Sequence, residues 1–231
     1  MRILLFGMLL LTLNMGCVED HAAPVAAAST SVPYLALGDS YTIGESVPTA
    51  DRWPVQLARM SQNQPVPLAS PDIIARTGWT TAELQVAIDD ANNHKTYGLV
   101  SLLIGVNNQY RGQGVGTYRN EFRELLRTAV RFAGGRAGRV VVLSIPDWGQ
   151  APFAQGQDLA RIGSEIDAFN GVARQECQQM GVAYVDITAL SRAASGDATQ
   201  FANDGLHYSG RQMQQWAQRA LPVVQQLLQT P

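Results

Sequence analysis

A side-chain hydroxyl becomes a nucleophile only beside a base, and a base that must hold a proton is steadied by an acid. The sequence offers one set of residues of those types. Ser40 lies in Gly38-Asp39-Ser40-Tyr41-Thr42-Ile43-Gly44, directly after an apolar run. A glycine there permits a tight turn, which can bring a serine Oγ and the serine's own N–H to the same space. Of the three histidines, His21 falls in an Ala- and Pro-rich stretch and His94 in the polar segment Asn92-Asn93-His94-Lys95. His207 alone has a carboxylate, Asp204, three residues before it in a loop that can fold it onto the ring. Such a carboxylate accepts from one ring nitrogen and fixes the tautomer, leaving the other nitrogen to take the hydroxyl proton. Negative charge developing on an attacked oxygen needs fixed donors, and the Gly78 N–H at a helix start and the Asn107 side-chain amide are suitable types.

The elements that must position these residues alternate short apolar runs with amphipathic stretches, the pattern of a parallel sheet covered by helices on both faces. Strands are expected at Tyr34 to Leu37, around Ile73-Ile74, at Leu99 to Ile104, at Val140 to Ile145 and at Val182 to Ile187. Ser40, Gly78, Asn107 and the Asp204–His207 pair then follow strands, outside the carboxyl ends where open parallel sheets bind ligands. Thr80-Thr81-Ala82-Glu83 and Ser209-Gly210-Arg211-Gln212 both fit a capping box. Phe122, Leu125, Leu126, Ala129 and Val130 repeat at helical spacing before Gly134, and a stripe from Ile162 through Cys177 to Met180 closes at Gly181. Cys177 reads as an inert core residue on that stripe, and Pro222 is expected to end or kink the last helix.

In order and approximate spacing, GDSYTIG, the Gly78 turn, Gly105-Val106-Asn107 and Asp204-Gly-Leu-His207 resemble the four conserved blocks of the SGNH subgroup of GDSL hydrolases. The resemblance runs from Tyr34 to the final helix. It implies a three-layer α/β/α sandwich with a five-stranded parallel, flavodoxin-like sheet, and ester hydrolysis through an acyl-serine. It further implies that Ser40 is the nucleophile and first oxyanion donor, with Gly78 and Asn107 the other two. His207 is then the general base and acid, and Asp204 its orienting partner. Asn108 stands where many members carry Asp, and Tyr208 where Pro is common; both departures bear on loop geometry and substrate preference. The GxSxG elbow of the larger α/β-hydrolase fold is absent around Ser40.

Tyr41, Trp79, Tyr110, Trp148 and Tyr208 stand where they can line a pocket or anchor loops, and Arg111 to Gly116 reads as a mobile loop beside the site. No HExxH, paired CxxC or other metal-ligand spacing occurs, so chemistry with neither metal nor cofactor is expected. With 17 Lys+Arg against 19 Asp+Glu and a net charge of -2, no basic footprint for nucleic acid exists. Residues 1–17 read as a signal peptide, their apolar run Ile3 to Leu13 too short to span a membrane. Gly16-Cys17 resembles a lipoprotein cleavage site, which would attach the chain to a membrane through Cys17; ordinary cleavage within Ala22 to Ala28 is the other reading. A linker is expected over 18–31 and one catalytic domain over 32–231, exported to the periplasm or envelope. Substrates compatible with this set are O-acetylated carbohydrates, or lysophospholipids and acyl thioesters; a non-catalytic envelope-binding lipoprotein of the same fold is the reading from another class.

Overall fold

The computed structural model describes residues 31–230. The expected signal peptide 1–17, Cys17, His21 and all but the last residue of the 18–31 linker lie outside the described residues. In chain order the elements are β1 (Tyr34–Gly38), α1 (Ser40–Ile43), α2 (Trp53–Ser61), β2 (Asp72–Ala75), α3 (Thr81–Asp90), β3 (Leu99–Leu103), α4 (Val106–Tyr110), α5 (Val115–Phe132), β4 (Val140–Leu143), α6 (Leu159–Met180), β5 (Ala183–Val185), α7 (Thr188–Ala193) and α8 (Gly210–Gln229).

All five strands run parallel in the order β2-β1-β3-β4-β5. Every residue of β1, β3 and β4 is buried, as expected of strands covered on both faces and read in sequence as near-continuous apolar runs. The one polar residue of β3, Ser101, is satisfied by the Tyr34 hydroxyl at 2.9 Å. On one side α2 packs against α8, and α5 packs against α3 and α6 in a second layer. The apolar faces of α5 and α6 named from the sequence are the faces that point inward. This is a three-layer α/β/α sandwich with a five-stranded parallel sheet.

The sheet begins with β1, adds β2 on one side and then crosses back to add β3 on the other. Strand order therefore reverses between β1 and β3, and a crevice opens outside their carboxyl ends. The residues just after β1 and β3 are Asp39-Ser40 and Ile104-Gly105-Val106-Asn107.

Two local expectations are corrected. The box at Thr80–Glu83 closes in both directions, but that at Ser209–Gln212 closes in one. Ser209 Oγ accepts from Gln212 N–H at 3.4 Å, whereas Ser209 N–H donates to the Gln200 carbonyl and is not left for the Gln212 side-chain oxygen. Helix α8 does not end at Pro222; it continues to Gln229 because Val224 and Leu228 beyond the proline are buried in the core.

Candidate active site

Gly38 ends β1 where a side chain has no room. A Cβ there would lie 2.4 Å from the Leu103 carbonyl oxygen of β3 and 2.2 Å from Thr42 Oγ1. Its lack of a side chain lets β1 run against β3 to its last residue, and the chain turns at once into α1, whose first residue is Ser40. Asp39 caps that helix, its Oδ1 accepting from Tyr41 N–H at 3.0 Å. Complete burial pushes the Asp39 carboxyl up to about 7, partly offset by the N–H groups of Tyr41, Asp39 itself and Gly105. Its Oδ2 has no hydrogen-bond partner. As the first helical residue, Ser40 has an N–H with no intrahelical acceptor.

The loop after β2 turns at Gly78 with φ +88, a conformation that side-chain-bearing residues avoid. The Gly78 carbonyl accepts from Arg111 Nη2 at 2.5 Å, and the same guanidinium grips Glu83 through bonds of 3.1 and 3.2 Å. The opposite end of that peptide region is fixed by Asn107, whose Nδ2 donates to the Trp79 carbonyl at 2.9 Å and keeps a second N–H free. Asn108, fully buried, ties α4 to the start of α3: its Oδ1 accepts from Thr81 N–H at 3.1 Å and its Nδ2 donates to Thr81 Oγ1 at 2.6 Å. A residue that departs from the family pattern thus serves as a brace for the turn at Gly78.

The last part comes from the segment before α8. Phe201 and Tyr208 pair across an antiparallel bridge, and Ala202 N–H donates to the His207 carbonyl at 2.7 Å. Within that turn Asp204 Oδ1 accepts from the N–H groups of Leu206 and His207, both at 2.9 Å, and Oδ2 lies 2.7 Å from His207 Nδ1. Partial burial would raise the Asp204 carboxyl, but hydrogen bonds from Ser46, His207 and Leu206 outweigh it and hold the group well below the usual carboxylate range. An ionised Asp204 requires the proton on Nδ1, which leaves Nε2 as the free acceptor of the ring.

Ser40, Asn107 and His207 share a cleft of about 150 Å³ with walls of Tyr41, Val106, Trp148 and Leu206 and with Tyr110 at its rim. No hydrogen bond among the described residues joins Ser40 Oγ to His207; such contacts commonly tighten only when substrate is bound.

The model of the GDSL-like lipase/acylhydrolase family matches residues 36–215. The chain belongs to that family. Membership makes this GDSL hydrolase an enzyme that cleaves carboxylic esters. Among solved structures it is similar to TesA at 16% identity and a TM-score of 0.66, covering 84% of this chain and 99% of that one. It is similar to the psychrotrophic esterase EstA from Pseudoalteromonas sp., inhibited by monoethylphosphonate, at 14% identity and a TM-score of 0.59, covering 85% and 93%. A lipase/acylhydrolase from Enterococcus faecalis gives 16% identity and a TM-score of 0.61, covering 84% and 95%. No curated protein matches the sequence. At these identities the likenesses are likenesses of fold.

The aromatic residues of the GDSL hydrolase divide. Tyr41, Tyr110 and Trp148 border the cleft. Tyr208 does not: it is fully buried among Tyr41, Phe201 and Trp216, and its hydroxyl donates to the Asp147 carbonyl at 2.7 Å. Trp79 does not either: its carbonyl accepts from Asn107, and it lines a separate groove along α3 with Ala82, Glu83 and Val86. The segment Arg111 to Gly116, expected to be mobile, is tied down by Arg111 on Gly78 and Glu83 and by Gln113 on Asn108 and Glu121, and Val115-Gly116 already belongs to α5. His94 borders a surface groove with Asp72 at the amino end of β2, away from Ser40. Cys177 is fully buried, its thiol pushed up to about 12 by desolvation. No cluster of three His, Cys, Asp or Glu side chains among the described residues could hold a metal ion. Sequence reading missed Ser46, Glu45 and Arg111 as parts of the site. Arg111 stands in the segment 111–116 that reads as a loop beside the site; Ser46 and Glu45 carry no motif at all.

Proposed function

We propose that the chain is a serine esterase in which Ser40 is the nucleophile, His207 the general base and acid, and Asp204 the orienting carboxylate. The observation that carries this reading is the 2.7 Å contact of Asp204 Oδ2 with His207 Nδ1, in a turn whose ring shares one small cleft with Ser40. Ser40 Oγ attacks the ester carbonyl carbon while its proton passes to His207 Nε2, and Asp204 stabilises the imidazolium so formed. The oxyanion is met by the N–H groups of Ser40 and Gly78 and by the free Asn107 amide N–H. His207 then gives its proton to the departing alkoxide, and water repeats the sequence on the acyl-serine.

The substrate we infer is a short acyl ester, an O-acetyl group on carbohydrate. Two observations support it. The space within the cleft is small, about 150 Å³, and its walls are Tyr41, Val106, Trp148 and Leu206. Beside it Tyr110 and Phe153 are 56% and 46% exposed, and both pack on the buried Trp148 ring. Exposed aromatic faces at the mouth of the cleft suit stacking against a sugar ring. Export to the bacterial envelope, supported by the apolar run Ile3 to Leu13, would place the enzyme among acetylated polysaccharides.

Ser40→Ala should abolish hydrolysis of p-nitrophenyl acetate, and an organophosphonate should label Ser40 in the parent protein. Absence of labelling would favour a non-catalytic envelope-binding protein of the same fold. Activity across acyl esters from acetyl to palmitoyl should fall with chain length; a flat or rising profile would favour a lysophospholipase or acyl thioesterase.

A further inference from the structure

The short loop after α1 touches three segments of the site. Ser46 Oγ donates to Asp204 Oδ2 at 2.6 Å, the same oxygen that contacts His207 Nδ1 at 2.7 Å. Its neighbour Glu45 accepts from the hydroxyl of Thr77, the residue before Gly78. The N–H groups of Gly44 and Glu45 both donate to the carbonyl of Ser40 itself, at 3.0 and 2.9 Å. Ser46 holds its position with φ +62; among the described residues the only other non-glycine in that region is Asn92, after α3. Serine has no preference for the left-handed region, so the surrounding bonds must hold it there.

We propose that Ser46 is a positioning residue for ester hydrolysis: its hydroxyl fixes the Asp204 carboxylate on the imidazole, and its loop keys that pair to the nucleophile's helix and to the Gly78 turn. The inference rests on the esterase reading above. A carboxylate on a surface turn can rotate about its last torsion. Two backbone N–H groups hold Oδ1, and Ser46 holds Oδ2, so the carboxylate plane stays fixed while His207 gains and loses its proton. The Ser46 proton is not transferred; only the orientation and ionised state of Asp204 depend on it.

Ser46→Gly is the clean deletion, because glycine adopts φ +62 without strain and only the hydroxymethyl group is lost. With p-nitrophenyl acetate, kcat should fall about tenfold, the scale of a lost hydrogen bond to a charged group. KM should stay within about twofold, because no contact with substrate is removed. In an Asp204→Ala background the same substitution should change kcat, or the rate of phosphonate labelling, by less than about twofold, since the group on which Ser46 acts is gone. A Ser46→Gly enzyme with kcat within about twofold of the parent overturns the proposal. So does a tenfold loss that persists in the Asp204→Ala background. A parent enzyme that hydrolyses no ester overturns instead the reading on which the proposal rests.

Discussion

Asp39 makes the folded state's stability depend on pH in a direction opposite to that of most carboxylates. Its carboxyl is fully buried, has one oxygen without a partner and rises from an ordinary 3.8 to about 7 on folding. At about 1.4 kcal/mol per pH unit, ionising it inside the protein costs on the order of 4 kcal/mol. Between these two values the unfolded chain has lost the proton that the folded chain keeps, so stability falls as pH rises through that window and levels off above it. Across pH 5 to pH 8 the loss comes to about 3 kcal/mol. Asp39→Asn is the perturbation that isolates it. Asparagine retains a carbonyl oxygen to accept from Tyr41 N–H, so the cap of α1 survives, while the titration disappears. Urea unfolding of both proteins at pH 5, 6, 7 and 8 provides the assay, and the difference between them cancels the titration of every group they share. The variant should gain about 3 kcal/mol on the parent from pH 5 to pH 8, or roughly 6–12 °C in Tm for a chain of this size. If the two stability curves run parallel within about 1 kcal/mol, Asp39 enters the fold ionised and the burial argument fails.

Other expectations concern the frame of the site. Arg111→Met should lower kcat about tenfold, less than the 10²–10³ of deleting a donor outright, because the Gly78 N–H is loosened and not removed; stability should fall by no more than about 1 kcal/mol, since the ion pair with Glu83 is half exposed. A kcat within about twofold of the parent would mean that the turn holds itself. Gly38→Ala, whose methyl would meet the Leu103 carbonyl, should cost about 3 kcal/mol or prevent folding; a thermal melt within a few degrees of the parent would show that β1 and β3 can part. Tyr110→Ala should raise KM severalfold for an acetylated oligosaccharide and leave p-nitrophenyl acetate unaffected, and equal effects on both would remove the stacking role.

The sheet was legible because burial on both faces leaves a one-dimensional mark: Leu99 to Leu103 and Val140 to Leu143 have no other reason to be almost wholly apolar. The candidate catalytic residues were legible because strand ends bring unlike residue types into sequence blocks. What escaped was whatever depends on direction and not on type. Trp79 and Tyr208 sit beside Gly78 and His207 in sequence, yet Trp79 lines a separate groove along α3 and Tyr208 is buried with its hydroxyl on the Asp147 carbonyl. Pro222 carries a breaker's signal that the burial of Val224 and Leu228 overrides. Ser46 escaped because its partner Asp204 is 158 residues away and its own backbone conformation is dictated from outside.

That same separation orders the events of the molecule's birth. Ser40 and its helix lie near the front of the domain, but Asp204 and His207, proposed to activate it, lie next to α8, whose Trp216 meets Tyr41 edge to face and whose length packs on α2. While the chain emerges from the ribosome, β1, β2 and β3 can already pair, yet the serine they present has no partner. On the esterase reading, a copy that lacks the residues from Asp204 onward has no base for Ser40 and should be inactive.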